Sequence, residues 1–369
     1  YTKRLPSGAM AREFRSPVGR SSWLGGSVIR GARPACAASS RRGGPPMSMA
    51  SSTRRRLERG AADAPARKAT ALVRIVWVSY ADMGPAVHSA SCSALQAGAS
   101  LHYLYLTSPA PDALARFYAD VIDMTIERGD DATWILHGPG RLLQFDKGPA
   151  KQLRAAGFAV RDEQYLHGLR ARAERQGLQP LDAKVAFFRS DSFSVTDPDG
   201  NAIVFGIATT TGAGTTTGPR GELQHLTLAT GDTHAIERFY VDGLGFSVSD
   251  RVVNTDGRVM SSFMRSNPEH HTLACFDQER TGVDHHAYEV GEWNGIRDWA
   301  DRFAARGIPL MWGPGRHGPG NNLFVFIVDP DGNWIEMSTE LEVVYDRPVK
   351  EWPHAERTLN LWGKGLLRA

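Results

Sequence analysis

The histidines of this sequence are concentrated in one stretch of the chain. Seven of the twelve lie between residues 225 and 317, and a single glutamate, Glu336, follows inside the apolar segment "NWIEM". Imidazole nitrogens and carboxylate oxygens are common ligands of divalent metals, and a buried carboxylate is costly unless it is paired or bound to a cation. The stretch therefore predicts a metal site. Its histidines are His225, His234, His270, His271, His285, His286 and His317.

Three segments with the character of β-strands carry the strongest candidates. The segment "LQHLTLAT" contains His225, "VDHHAYEV" contains the adjacent pair His285 and His286, and "NWIEM" contains Glu336. Successive side chains of a strand face opposite sides, so only one histidine of the pair should point toward a metal. Two imidazoles and one carboxylate from three strands of one curved sheet would form the facial triad of non-haem iron(II) oxygenases, which leaves open positions on the metal.

The elements that must position these strands occur twice. From about residue 98 the sequence repeats itself, which indicates two similar modules. Each copy reads as a strand, an amphipathic helix, several strands, a second helix and a hairpin closed at "DPDG", because Asp-Gly between apolar runs is a strong hairpin signal. The matching segments are 104–124 with 226–246, 165–178 with 295–308, and 193–206 with 325–338.

Two α+β modules in tandem resemble the vicinal oxygen chelate superfamily, also described as the glyoxalase, bleomycin-resistance and dioxygenase fold. In that fold, paired βαβββ units curl a sheet around a central cavity. The resemblance covers about residues 98 to 345 and implies a structural module followed by a catalytic, metal-binding module. The predicted organisation is an N-terminal extension at 1–95, the structural module at 98–210, the catalytic module at 220–345 and a C-terminal tail at 346–369.

The second copy resembles the catalytic module of type I extradiol catechol dioxygenases. In that family a ligand histidine stands four residues before the glutamate of a His-x-x-x-Glu-Val strand, a pattern that "HHAYEV" fits with His285. His225 and Glu336 fall on the other two ligand positions. The resemblance thus implies an iron(II) ion held by His225, His285 and Glu336, a ligand set that accepts manganese(II) as well.

Two further histidines match positions of the same family. The segment "RSNPEHHTLACF" resembles the one whose second histidine, here His271, lies near the dioxygen site, and "RHGPGNN" resembles the loop whose histidine, here His317, meets a substrate hydroxyl. The implied reaction is extradiol ring cleavage of a small aromatic diol, with O2 as co-substrate. One position departs from the family: Phe326 stands ten residues before Glu336, where a tyrosine usually hydrogen-bonds to the substrate.

The first copy lacks all three predicted ligands, so it serves as an internal comparison. A structural role for this module follows, and a site of the glyoxalase I kind, which in that family draws ligands from both modules, is disfavoured. The aligned pairs are Tyr103 with His225, Ala155 with His285 and Val204 with Glu336.

The segments outside the repeats carry less information. Residues 1–95 are rich in Arg, Ser, Gly, Ala and Pro without a steady apolar period, which predicts a disordered extension or sequence upstream of the true start. A transit peptide is the alternative. In the tail, Trp352 and Trp362 predict a segment that covers apolar surface, either at the cavity mouth or on a second subunit of a homo-oligomer.

Composition excludes several other classes of function. The net charge of +3 comes from a basic N-terminal segment, so it does not indicate a nucleic-acid partner, and no apolar run is long enough to cross a membrane. Three scattered cysteines suit a reducing compartment, and we expect the cytoplasm. Two alternative functions stay open on this scaffold: a non-catalytic protein that binds or sequesters a small molecule, and a metal-dependent isomerase or lyase.

Overall fold

The structure, a computed structural model, describes residues 92–128, 133–189, 191–209 and 218–367. Most of the predicted extension, residues 1–91, lies outside the described residues. Helix α1 (Ala94–Ala97) already crosses the predicted boundary at residue 95, because Ser93 and Gln96 form a capping box that starts the helix there.

The first module is one mixed β-sheet with two long helices packed on it. Its first half contains one strand, one helix and three strands, and its second half repeats this order. In chain order the elements are β1 (Ser100–Ser108), α2 (Pro111–Val121), β2 (Thr125–Arg128), β3 (Trp134–Gly138), β4 (Arg141–Lys147), β5 (Leu153–Ala159), α3 (Glu163–Arg175), β6 (Leu181–Asp182), β7 (Phe193–Thr196) and β8 (Ala202–Gly206).

The second module repeats this arrangement with one change in its first helix. A short α-helix continues there into a π-helical turn, Phe239–Gly243. The elements are β9 (Glu222–Thr230), α4 (Thr233–Arg238), β10 (Ser247–Val253), β11 (Val259–Arg265), β12 (Leu273–Asp277), β13 (Gly282–Glu289), α5 (Trp293–Ala305), β14 (Trp312–Arg316), β15 (Leu323–Val328), β16 (Trp334–Thr339), β17 (Lys350–Pro353) and α6 (Glu356–Leu359).

The two sheets have the same strand order. The first runs β2-β3-β4-β1-β5-β8-β7-β6 and the second, from the corresponding edge, runs β10-β11-β12-β9-β13-β16-β15-β14, with β17 added beside β10. Each module therefore contains two βαβββ units joined by their first strands, which pair antiparallel. The predicted α+β fold of tandem βαβββ modules is confirmed.

One large hydrophobic cluster extends through both modules. The helices contribute one apolar face each to it. In α5, Ile296, Trp299 and Phe303 recur at spacings of three and four residues and are buried. Their cluster also includes Leu114 and Tyr118 of α2 in the first module. The modules thus share buried apolar surface, which favours their folding together. None of the described helices has the length and apolar character that a membrane-spanning helix requires.

The two repeated motifs "RFY" and "DPDG" meet across the modules. Tyr118 of the first module donates its hydroxyl to Asp329 Oδ2 of the second at 3.0 Å, and Tyr240 of the second donates to Asp197 Oδ2 of the first at 3.1 Å. All four side chains are buried. Each aspartate also accepts hydrogen bonds from backbone amides of its own turn, so one carboxylate fastens a hairpin and contacts the other module.

Asp329 should make stability depend on pH. Burial raises the pKa of Asp329 from 3.8 to about 6, although hydrogen bonds from Asn333 and Tyr118 oppose the shift. The folded protein binds this proton more tightly than the unfolded chain does, so protonated Asp329 stabilises the fold at pH values below the pKa of the unfolded chain. This stabilisation is lost as the pH rises through about 6. Two pKa units correspond to about 3 kcal/mol. We expect that the stability of Asp329→Asn does not fall in this way between pH 4 and pH 7. The measurement is the free energy of unfolding at both pH values, with chelator present.

A matched variant controls for the loss of a carboxylate in general. Asp256→Asn changes an exposed aspartate in the turn between β10 and β11 and should follow the wild-type pH dependence. Equal changes in unfolding free energy between pH 4 and pH 7 for the wild type and Asp329→Asn would contradict the assignment.

The C-terminal tail belongs to the second module. Strand β17 pairs parallel with β10, and α6 follows it in the chain. The backbone of Gly318 donates to the Thr358 carbonyl at 2.9 Å, and that of Leu361 donates to the Arg316 carbonyl at 2.7 Å. Leu359 of the tail lines the cavity described below, as one of the two predicted placements requires, and the placement on a second subunit stays a prediction.

Candidate metal centre

Three neighbouring strands in the middle of the second sheet carry the predicted ligands. The strands lie in the order β16, β13, β9, and Ala287 of β13 is directly opposite both His225 of β9 and Glu336 of β16. His285 stands two residues before Ala287 and therefore faces the same side of the sheet. The register alone thus brings two imidazoles and one carboxylate to one point on the concave face.

The distances fit a metal site. His225 Nε2 lies 3.2 Å from Glu336 Oε2, and His285 Nε2 lies 3.4 Å from the same oxygen. One candidate ligand atom from each of the three residues lies within 4.8 Å of the others. The side chains are almost completely enclosed, with His225 and Glu336 each 1 % exposed and His285 5 % exposed. Two nitrogens and one oxygen converging at this spacing match the donor set of an iron or manganese ion.

The ionisation states of these groups also suit a cation. Burial would raise the pKa of Glu336, but its close contacts with His225, His285 and His317 hold it well below its usual range. Burial lowers the pKa of His225, against the opposing effect of Glu336. The glutamate is therefore ionised and the His225 imidazole neutral at pH 7, which are the states in which these side chains bind metals.

Polar groups around the triad fix the orientation of its members. Asp284 Oδ1 lies 2.6 Å from His285 Nδ1, so this nitrogen carries the proton and Nε2 presents a lone pair to the site. Asn322 Nδ2 donates to Glu336 Oε1 at 2.9 Å and directs the other carboxylate oxygen toward the histidines. Thr227 Oγ1 lies 3.1 Å from His285 Nε2.

His286, the neighbour of His285, points the other way. Its Nε2 lies 2.9 Å from the Tyr118 hydroxyl, in the contact between the modules. As the strand alternation predicts, only one of the two adjacent histidines faces the cavity. His234 is exposed on α4 and takes no part.

The two histidines predicted to act on substrate and oxygen line the same cavity as the triad. The His271 ring lies 4.2 Å from the His225 ring between centroids. His317 Nδ1 lies 2.6 Å from the Leu359 carbonyl of the tail, and its Nε2 lies 3.6 Å from Glu336 Oε1. A carbonyl only accepts hydrogen bonds, so Nδ1 of His317 carries the proton and Nε2 is the basic nitrogen on the cavity side.

The remaining cavity wall is largely apolar. Phe326 is fully buried beside Trp312, whose ring stacks on it at 5.4 Å. No lysine or arginine is among the lining residues in the described part of the chain. The wall is formed by His225, Met260, Phe263, His271, Phe276, Asp277, His285, Trp312, His317, Pro319, Asn322, Phe326, Glu336 and Leu359.

The equivalent place in the first module is filled. The strand registers put Tyr103, Ala155 and Val204 at the positions of His225, His285 and Glu336, as the sequence alignment predicts. These three side chains form a hydrophobic cluster with Phe187 and Phe188, which occupy the space over the sheet. The described part of the first module therefore has neither ligands nor room for a metal at this place.

Several groups of the site were not identified from the sequence. Asp284 directly precedes His285 in "VDHH", so the sequence shows that the two residues are close. It does not show that the Asp284 carboxylate contacts the His285 ring. Asn322 and the Leu359 carbonyl are brought in by the chain fold, and no local pattern marks them.

Comparison with known proteins identifies a family model and several relatives that resemble this chain. Residues 222–337 match the family model described as Glyoxalase/Bleomycin resistance protein/Dioxygenase superfamily. Metapyrocatechase 2 of Cupriavidus necator is 26 % identical over 288 residues, which are 69 % of this chain and 86 % of that protein. The iron-dependent extradiol dioxygenase of Rhodococcus jostii is 32 % identical over 158 residues, 40 % of this chain and 51 % of that protein.

Solved structures show the same fold. A Mn(II)-bound glyoxalase from Novosphingobium aromaticivorans has a TM-score of 0.63 and 25 % identity, and the match covers 73 % of this chain and 92 % of that one. Homoprotocatechuate 2,3-dioxygenase from Arthrobacter globiformis has a TM-score of 0.64 and 22 % identity over 76 % of this chain and 92 % of that one.

Proposed function

We propose that this chain, whose second module belongs to the Glyoxalase/Bleomycin resistance protein/Dioxygenase superfamily, is a non-haem iron(II) extradiol dioxygenase that cleaves the ring of a catechol-type diol with O2. The observation that carries the proposal is the meeting of His225, His285 and Glu336 on the floor of one buried cavity. Under this proposal, residues 220–345 form the catalytic module and residues 98–210 form the structural one.

The ligand set supports iron as the resident metal and leaves room for substrate. His225, His285 and Glu336 would hold the ion, which would supply the electron transfer between a diol and dioxygen. Manganese(II) fits the same two nitrogens and one oxygen. No candidate ligand comes from the described residues of the first module, in contrast to sites assembled from both modules.

The protein's own groups would bind the diol and move its protons. His317 Nε2 is the basic nitrogen on the cavity side and can accept a proton from a substrate hydroxyl, because Leu359 holds its Nδ1 proton. His271 is the other cavity histidine outside the candidate triad. It lies beside His225, where it would act on bound dioxygen. The apolar wall and the tail exclude water from the reacting groups, which strengthens these polar contacts.

Metal analysis and oxygen consumption test the proposal. Protein purified without air should contain iron in a one-to-one ratio, and addition of catechol in air should consume oxygen and give a yellow ring-opened product. Iron without oxygen uptake for any of a panel of catechols would indicate an isomerase or lyase instead. Absence of bound metal after incubation with iron(II) would indicate the sequestering function.

Subunit association is the remaining part of the proposal. Tyr345, just before the tail, is 85 % exposed and Trp362 of the tail is 54 % exposed, so this end of the chain presents aromatic surface to a partner. We infer a homo-oligomer, which sedimentation of the purified protein would detect.

A further inference from the structure

One residue of the C-terminal tail, Leu359, borders the candidate cavity where it reaches solvent. Most of the lining residues are buried, and the partly exposed ones are Phe276, His317 and Leu359. These three residues therefore mark where the cavity opens. Leu359 is the last residue of α6, and among the described lining residues it is the one that the tail contributes.

The Leu359 side chain forms part of the apolar wall. It packs against a cluster of buried aromatic residues that includes Trp312 and Phe326, both of which line the cavity themselves. The tail also holds Trp312, because the indole Nε1 donates a hydrogen bond to the Lys364 carbonyl at 2.9 Å. The tail thus places one aliphatic side chain against the aromatic wall at the cavity mouth.

Backbone contacts on both sides of Leu359 fix its position. Its own carbonyl lies 2.6 Å from His317 Nδ1. The residue before it accepts a hydrogen bond from the Gly318 amide at 2.9 Å, and Leu361 donates one to the Arg316 carbonyl at 2.7 Å. Moving Leu359 aside would break contacts that join the tail to the loop carrying His317. A larger substrate therefore meets a wall that adapts little.

We propose that Leu359 is a specificity-determining residue whose side chain limits the size of the ring substituent that the cavity accepts. The inference rests on the proposed function, because the ligand it concerns is the aromatic diol. A diol reaches the triad through the mouth, so a bulky substituent on its ring meets the Leu359 side chain. The favoured class is a diol with one ring and a small apolar substituent, and a diol with a second ring is disfavoured.

Two opposite changes of Leu359 test this limit. Leu359→Ala removes most of the side chain but keeps the backbone carbonyl that contacts His317. A few carbon atoms in an apolar pocket change kcat/KM by at least about tenfold. We expect kcat/KM for 3-phenylcatechol or 4-phenylcatechol, relative to catechol, to rise by at least about tenfold in this variant.

Leu359→Phe enlarges the same side chain and should act in the other direction. We expect kcat/KM for 3-methylcatechol or 4-methylcatechol, relative to catechol, to fall by about tenfold. Each variant tests the inference by itself, so failure of one to fold leaves the other decisive. Wild-type ratios for every substituted catechol in a folded variant would overturn the inference.

Leu361→Ala is the matched control. It removes the same atoms from another partly exposed leucine of the tail, which is not among the described lining residues. Its backbone hydrogen bond to the Arg316 carbonyl does not depend on the side chain. We expect the wild-type ratios. An equal rise for the phenylcatechols in Leu361→Ala and Leu359→Ala would show a general loosening of the tail and would overturn the assignment to Leu359.

Binding without oxygen separates this inference from the proposed function. Calorimetric titration of the iron(II)-loaded protein under nitrogen gives Kd for catechol and for each phenylcatechol. Leu359→Ala should lower Kd for one of the phenylcatechols, relative to catechol, by at least about tenfold. The wild-type ratio in this variant would overturn the inference.

The two proposals fail in different ways. If the wild type binds catechols but never consumes oxygen, the proposed function is wrong, and the ratio of Kd values still tests Leu359. If catechol is turned over while Leu359→Ala keeps the wild-type ratios, the dioxygenase function stands and the role of Leu359 is wrong. Absence of any catechol binding would contradict both.

Discussion

Replacing His225 by phenylalanine is expected to abolish metal binding, whereas the same replacement of Tyr103 is expected to leave it unchanged. The two residues occupy equivalent positions in the two sheets, so each variant places the same ring at the same point of the fold. His225 contributes one of three candidate ligand atoms, and Tyr103 belongs to a hydrophobic cluster. Loss of one ligand should weaken iron binding by more than about 100-fold, the upper end for loss of a supporting group.

The measurement is iron content per chain together with catechol-dependent oxygen uptake. Both should disappear in His225→Phe and persist in Tyr103→Phe. Glu336→Gln, which is nearly isosteric, should also lose the metal, while Glu289→Gln at the end of the neighbouring strand should keep it. Iron retained at the wild-type level by His225→Phe and Glu336→Gln would show that the metal, if any, lies elsewhere.

A catechol carrying a carboxylate should be a much poorer substrate than one carrying a methyl group. The wall around the candidate site includes Phe263, Phe276 and Trp312, and it offers no lysine or arginine among the described lining residues. Asp277, at the end of β12, is already paired with Arg258 at 2.6 Å. Enclosing an unpaired carboxylate among aromatic side chains should cost several kcal/mol, and about 4 kcal/mol corresponds to about 10³-fold in kcat/KM.

The comparison uses 4-methylcatechol and 3,4-dihydroxybenzoate, which differ at one ring position. Oxygen uptake at several concentrations gives kcat/KM for each. The methyl ester of the acid is the control, because it has similar bulk without the charge and should recover most of the difference. Equal kcat/KM for the acid and its ester would show that the substituent lies in solvent rather than against this wall.

The sequence predicted the ligand-bearing strands because their information is local. Alternation along "VDHHAYEV" decides that one histidine of the pair faces the cavity, and the repeat supplies the alignment of His225 and Glu336 with residues of the first module. The strand registers reproduce that alignment. Periodicity and resemblance therefore predicted which residues meet at the candidate site. Their role as metal ligands stays a prediction.

The surrounding groups were not predictable because they meet through long-range folding. The Leu359 carbonyl reaches His317 only because the tail folds back over the sheet. The sequence also did not show that Phe187 and Phe188 fill the equivalent place in the first module, because their segment is not part of the matched repeats.

The reciprocal contacts of Tyr118 with Asp329 and Tyr240 with Asp197 bear on how such a chain arises. Each half carries one hydroxyl donor and one carboxylate acceptor for the other half. In a pair of identical C-terminal halves, Tyr240 of each copy would contact Asp329 of the other copy. The fused polypeptide therefore has the symmetry expected of two self-associating halves. In such a duplicated chain, one half can carry the candidate metal ligands while the other fills the same place with apolar side chains.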